Sequence, residues 1–235
     1  MAFRLQYLKK VPCEDNAFAQ YGTFCHELLE RWAKGELPEF ALASEYEDRY
    51  DDAVTQSFPP FPKGMPLKYY EAGKEYFDSF SGFGDYEILT VEEKFELDIQ
   101  GYRFVGIADL VLRDPADGKI IVIDHKSKSM SSMKKELDTY RRQLYTYAAF
   151  VYQKFGVYPK KVMFNMFREG TFIEEDFDQE MFDSTMEWIV DTIDAIILES
   201  EWKVSPSSYF CRFVCSVFDH CPARDAILYP PQKGR

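Results

Sequence analysis

Apolar positions along this chain change period twice. From Ala17 to Lys34, the residues Phe18, Tyr21, Cys25, Leu28, Leu29 and Trp32 recur at helical spacing, and Gly35 supplies a stop. Residues 44–57 are acidic and predict a second helix. SFPPFPKGMP predicts a proline-rich loop, and LKYYEAGKEYFDSF a third helix. The period then falls to two. YEILTVEEKFELDI and YRFVGIADLVLRD predict strands joined at Gly101, DPADG the next turn, and KIIVIDHKSK a third strand. Residues 134–155 return to helical spacing, closed by Gly156 and Pro159, and KKVMFNMF predicts a fourth strand. Further on, Phe182, Met186, Ile189, Val190, Ile193, Ile196 and Ile197 make one apolar stripe on a last helix. The segment from Val204 reads as irregular. The order α, β-β-β, α-β, α predicts a single α/β domain over residues 1–235, with 204–235 a cysteine-containing tail. Its core is a mixed sheet, an antiparallel meander plus a further strand, flanked by helices.

The meander carries charge where a buried strand should carry none. Strand side chains alternate faces, so in IIVIDHKSK Asp124 and Lys126 share a face and His125 points to the other. Asp109 lies in the neighbouring antiparallel strand, and cross-strand pairing could set its carboxylate beside that of Asp124. Two adjacent carboxylates repel unless a proton or cation lies between them, and a hard divalent ion such as Mg²⁺ or Mn²⁺ suits oxygen ligands. Lys126 would face the same space, able to bind a phosphate or orient a water. The alternative is a buried ion triad in which Lys126 neutralises both acids without function.

Composition narrows the setting. The 235 residues are 46% hydrophobic and 17% aromatic, with no apolar run long enough for a membrane span and no signal-peptide pattern at the start. This predicts a soluble cytoplasmic protein whose thiols stay reduced. The net charge of −12 argues against a general polyanion binder. Its distribution is uneven: Lys119 to Lys161 holds ten Lys or Arg against three acids, and Thr171 to Glu201 holds eleven acids and no base. A positive zone in a negative protein can guide a phosphate backbone to one place, although two solvated helix faces would give the same count.

Four short motifs, in order, resemble the PD-(D/E)XK nuclease superfamily, and its RecB-like exonuclease branch in particular. They are His26 in YGTFCHELLE with Gly22 four residues before it, Gly106 to Asp109 (GIAD), Asp124 to Lys126 (DHK), and Gln143 to Tyr147 (QLYTY). The VEEKF strand, with Glu92 or Glu93, is a weaker match. The resemblance implies a restriction-endonuclease-like core. It also implies a Mg²⁺ or Mn²⁺ ion on His26, Asp109 and Asp124 with the backbone carbonyl of His125, and Lys126 positioning the attacking water. Gln143 and Tyr147, on one helix face, would contact DNA or brace the site.

Cys211, Cys215 and Cys221, spaced C-x3-C-x5-C, suggest a metal more than disulfides in such a compartment. They resemble the tail of iron–sulfur members of the branch, some of them phage-type, which hold a [4Fe–4S] cluster with a fourth, N-terminal cysteine. This chain has Met1 where that cysteine is expected. Cys13 or Cys25 is the substitute, or the start is truncated, or the three are ordinary thiols.

The function so implied is metal-dependent hydrolysis of DNA, at duplex ends or on single strands, with a protein partner that delivers the DNA to an acidic enzyme. KSKSMSSMKK and YRRQLY would face the DNA, and Tyr140 and Tyr145 could stack on unpaired bases. The rival is a catalytically inactive DNA-binding or scaffold module on the same fold. It would be favoured by loss of Asp109, Asp124 or Lys126, and all three are present.

Overall fold

The structure is a computed structural model and describes residues 1–229. Five strands form one sheet in the order β1-β2-β3-β4-β5: β1 Glu87–Ile99, β2 Tyr102–Arg113, β3 Ile120–His125, β4 Lys161–Met166 and β5 Thr171–Asp176. Only β3 and β4 run parallel, and the other three pairings are antiparallel. The α/β sheet flanked by helices is as expected, with one strand more. The sequence pattern does not mark β5, because its acids at Glu174, Glu175 and Asp176 merge with those of the helix after it. They are tolerated because β5 is an edge strand with alternate positions exposed.

Three α-helices precede the sheet: α1 Ala17–Ala33, α2 Leu42–Ala53 and α3 Met65–Ser79. The Asn16 side chain caps α1, accepting from Phe18 N and Ala19 N at 3.0 and 3.1 Å. Their shared core is aromatic, built on Tyr21, Phe24, Tyr46, Tyr76, Phe77 and Phe167. Gly73 of α3 has no Cβ because the Tyr46 ring occupies that space, with Oη 2.3 Å from where one would sit.

The 134–155 helix divides. α4 Met130–Lys135 ends at Glu136, where φ is −122°, and α5 Leu137–Phe155 follows, closing at Gly156 with φ +74°. α5 covers one face of the sheet, where Val111, Val122 and Phe164 meet Leu144, Tyr147 and Val151. Alternation sends Leu110, Leu112, Ile121 and Ile123 to the opposite face. α6 Gln179–Leu198 packs on α5 through Ile189, with Met186, Val190 and Ile193 partly buried. Its apolar stripe does not stay buried, for Ile197 is 65% exposed. Tyr145, a candidate base platform, is buried, and its hydroxyl accepts from Asp178 N, so it belongs to the core.

The tail is less irregular than its sequence suggests, with short helices α7 Ser208–Phe213 and α8 Arg224–Leu228. It docks on the start of α1: Asn16 Nδ2 donates to Val214 O at 2.9 Å, and Glu14 N to Ser216 O at 3.0 Å. Pro230 to Arg235 of the predicted tail lie outside the described residues.

Candidate metal centre

The site grows from the sheet register. Leu110 pairs with Ile123, so the next step toward the strand ends sets Asp109 against Asp124, both on the face covered by α5. Gly106 is explained by packing. A Cβ there would sit 2.4 Å from the Phe95 ring, which stacks on Phe150 at 4.9 Å and meets Tyr147 edge-on at 6.2 Å. The glycine of GIAD therefore makes room for the aromatic layer beneath the acids.

The Tyr147 hydroxyl lies between the two carboxylates, 3.1 Å from Asp109 Oδ1 and 3.2 Å from Asp124 Oδ1. Gln143 Nε2 donates to that hydroxyl at 2.9 Å, and Lys126 Nζ donates to Gln143 Oε1 at 2.7 Å. The same ammonium forms an ion pair with Asp124 Oδ2 at 2.6 Å. Asp109 Oδ2 accepts from His125 N at 2.8 Å. Gln143 and Tyr147 thus brace the acids and the lysine from α5.

Burial raises the Asp124 carboxyl to about 6, against the pull of Lys126, and burial likewise raises Asp109. A cation supplied to these acids would remove the cost of burying their charge.

The ligand atoms that gather within 4.8 Å come from His26, Glu92 and Asp109. His26 Nδ1 is 3.7 Å from Glu92 Oε1 and 3.6 Å from Asp109 Oδ2, while His26 Nε2 is 2.9 Å from the His125 carbonyl oxygen. Burial works against a proton on His26, but Glu92 and Asp109 outweigh it and its pKa is raised. The expected ligands are therefore close together, with two differences. Asp124 stands one step back, bound to Lys126 and Tyr147, and Glu92 joins the front rank. Between Glu92 and Glu93 the geometry chooses the first, because Glu93 pairs with Lys154 on α5. Glu92 adopts φ +45°, a left-handed conformation costly for a strand residue and commonest at functional sites. No pattern in the sequence marks that twist.

His125 points its ring away from this face, as alternation requires, stacking on Phe83 at 5.9 Å and meeting Asn165 Nδ2 at 3.0 Å. Its pKa is held well below the usual value by burial, so it stays neutral. Carboxylates, a carbonyl and one imidazole make an oxygen-rich donor set that suits a hard divalent ion. Histidine and carboxylate donors converging on Asp109 beside the Asp124–Lys126 ion pair fit such an ion.

The sequence of residues 1–225 matches the family model of the PD-(D/E)XK nuclease superfamily. This chain belongs to that superfamily. A search of curated proteins finds no match. Among solved structures, that of SSO0001 aligns over 94% of this chain and 93% of its own, at 21% identity and a TM-score of 0.37, a likeness too distant to add to the assignment.

Other expected features of this PD-(D/E)XK chain stand differently. Cys211, Cys215 and Cys221 are free thiols, and among the described residues their sulfurs do not gather closely enough to ligate a single ion together. Cys13 is exposed, and Cys25 is buried inside α1, where burial pushes its thiol up. Hydrogen bonds tie the tail that carries Cys211, Cys215 and Cys221 to the start of α1. In YRRQLY, Arg141 binds Glu175 and Asp138, and Arg142 lies over the Trp188 ring at 4.5 Å. These two partly exposed arginines hold α5 to β5 and α6. No helix among the described residues is long and apolar enough to cross a membrane.

Proposed function

We propose that this superfamily member is a divalent-metal-dependent deoxyribonuclease of the RecB-like kind that hydrolyses phosphodiester bonds at DNA ends or on single strands. Its cellular place would be the cytoplasm, in replication, recombination, repair or defence. The observation that carries the reading is the convergence of His26, a strained Glu92 and Asp109 beside the buried Asp124–Lys126 pair.

His26, Glu92 and Asp109 would hold Mg²⁺ or Mn²⁺, with Asp124 and the His125 carbonyl completing the set. The ion, when bound, polarises a phosphate oxygen and lowers the pKa of water. The rest of the chemistry falls to the chain. Lys126 keeps its ammonium at the site edge, held by Asp124 and Gln143, where it can orient a water or balance charge on the phosphate. Tyr147 fixes the spacing of the two aspartates. The net charge of −12 supports moderate, salt-sensitive affinity, which a partner protein delivering DNA would offset.

The test is degradation of end-labelled single- and double-stranded DNA with Mg²⁺, Mn²⁺ or EDTA, beside Asp124→Ala and Lys126→Ala. Metal-dependent loss of substrate that falls by about 10²-fold or more in both variants supports the reading. A wild-type chain that neither cuts nor binds a divalent ion would leave the charges as a structural triad.

A further inference from the structure

We propose that an acid-rimmed apolar groove on the outer side of α6 is the docking site for a basic, amphipathic helix of a partner protein. The inference goes beyond the nuclease reading and does not depend on it, because docking needs no catalysis.

α6 presents two faces. Met186, Ile189, Val190 and Ile193 belong to the core that α5 shares with the sheet. Trp188, Asp191, Thr192, Ala195 and Glu199 recur at i, i+3, i+4, i+7 and i+11 and so share a second stripe. With Trp202 they line an open groove of about 550 Å³. Apolar surface is left uncovered along this helix: Trp188 is 40% exposed, and Leu198 at its end is 81% exposed. Contiguous exposed apolar surface with a polar rim is the usual mark of a protein-binding face.

Both tryptophans of the groove are held in place. The Trp188 ring has the Arg142 guanidinium over it. Trp202 stacks on Phe3 with the ring centroids 5.7 Å apart and the planes within 2° of parallel. Trp202 also takes φ +23°, a left-handed backbone uncommon for so bulky a residue. Aromatic anchors that are ordered before binding lose little freedom on contact, and tryptophan is enriched among the residues that dominate interface energy.

Charge selects the occupant. Thr171 to Glu201 holds eleven acids and no base. Asp191 and Glu199 lie in the groove and Glu187 beside it on the helix, and among the described residues none of the three has an ion-pair partner. Lys203, the base in the groove wall, is already taken by Glu201. Acids on other helices find local cations: Glu45 pairs with Arg31 and Arg49, and Lys74 joins Glu47 to Asp78. Uncompensated acids along an apolar groove repel a phosphate backbone and an anionic lipid surface alike. A second copy in a two-fold contact would set the same acids against themselves. The complementary object is a helix with an apolar face for the tryptophans and a border of Lys or Arg.

The test measures, by fluorescence anisotropy, binding to the full chain of a labelled helical peptide of Leu and Lys in amphipathic order. A peptide of the same composition in scrambled order is the control. The amphipathic peptide should bind at least about tenfold more tightly, and Trp188→Ala and Asp191→Lys/Glu199→Lys should each weaken it about tenfold. Asp51→Lys/Asp52→Lys, the same change of charge at the end of α2, should leave binding within about twofold. All five side chains are exposed, and circular dichroism checks that each variant folds. Should Trp188→Ala fail to fold, the Asp191→Lys/Glu199→Lys variant carries the test. Absence of binding, equal binding of the two peptides, or equal weakening by both charge variants would overturn the proposal. Sedimentation velocity supplies the remaining arm: a concentration-dependent dimer that Asp191→Lys/Glu199→Lys dissolves would give the face to a second copy and overturn it as well.

Discussion

Gln143 anchors Lys126: its Oε1 accepts from the lysine ammonium at 2.7 Å, although the two residues come from a helix and a strand end. The contact makes the glutamine a positioning residue for the ammonium beside Asp124. Replacing it with leucine removes two hydrogen bonds, to Lys126 and Tyr147. Gln143→Leu is expected to cost about 1–2 kcal/mol of stability and about 10- to 100-fold in DNA cleavage. Thermal melting and single-turnover cleavage, measured on the same preparation, check both. Cleavage within twofold of wild type would remove the positioning role.

The backbone conformation of Glu92 works against stability. Its φ of +45° is one that glycine adopts without strain, so Glu92→Gly should stabilise the metal-free fold by about 1 kcal/mol. It should also abolish the rise in melting temperature that Mn²⁺ is expected to give wild type through ligand linkage. Glu92→Gln separates the two effects, keeping the strain while weakening the metal response. An unaltered Mn²⁺ shift in both variants would exclude Glu92 as a ligand.

Gly106 should not tolerate a methyl group. With the Phe95 ring 2.4 Å from the added Cβ, Gly106→Ala must displace the aromatic layer under Asp109 and Tyr147. The expected loss is about 1–3 kcal/mol, read from denaturant unfolding. Phe95→Leu in the same chain should restore part of it. If Gly106→Ala is as stable as wild type, the explanation for that glycine is wrong.

Asp124 gives the metal-free protein a pH signature. Its carboxyl titrates at about 6 in the fold, above its ordinary value of 3.8, because burial disfavours the charge. A raised folded pKa contributes stability that is complete below the unfolded value and lost as pH rises through the folded one. In EDTA, the melting temperature of wild type relative to Asp124→Asn should therefore climb as pH falls from 7.5 toward 4.5. The difference between the proteins isolates Asp124 from His125, which is buried neutral and acts with the opposite sign. A flat difference across that range would contradict the burial account.

The sequence by itself determined the alternation that puts Asp109, Asp124 and Lys126 on one face, the helical stripes, and the order of elements around the meander. These follow from local periods of two and 3.6 residues, which the chain carries wherever it is folded. Tertiary structure alone decided the rest. It chose Glu92 over Glu93 through a single left-handed residue, and it set Asp124 behind the front rank by giving its oxygens to Tyr147 and Lys126. It also assigned Arg141 and Arg142 to β5 and α6, and it found a fifth strand under a run of acids. Each of these depends on which side chains meet across long stretches of chain. Periodicity holds no record of such meetings, because a contact between α1 and β1 or between α5 and β5 is fixed only when the core closes.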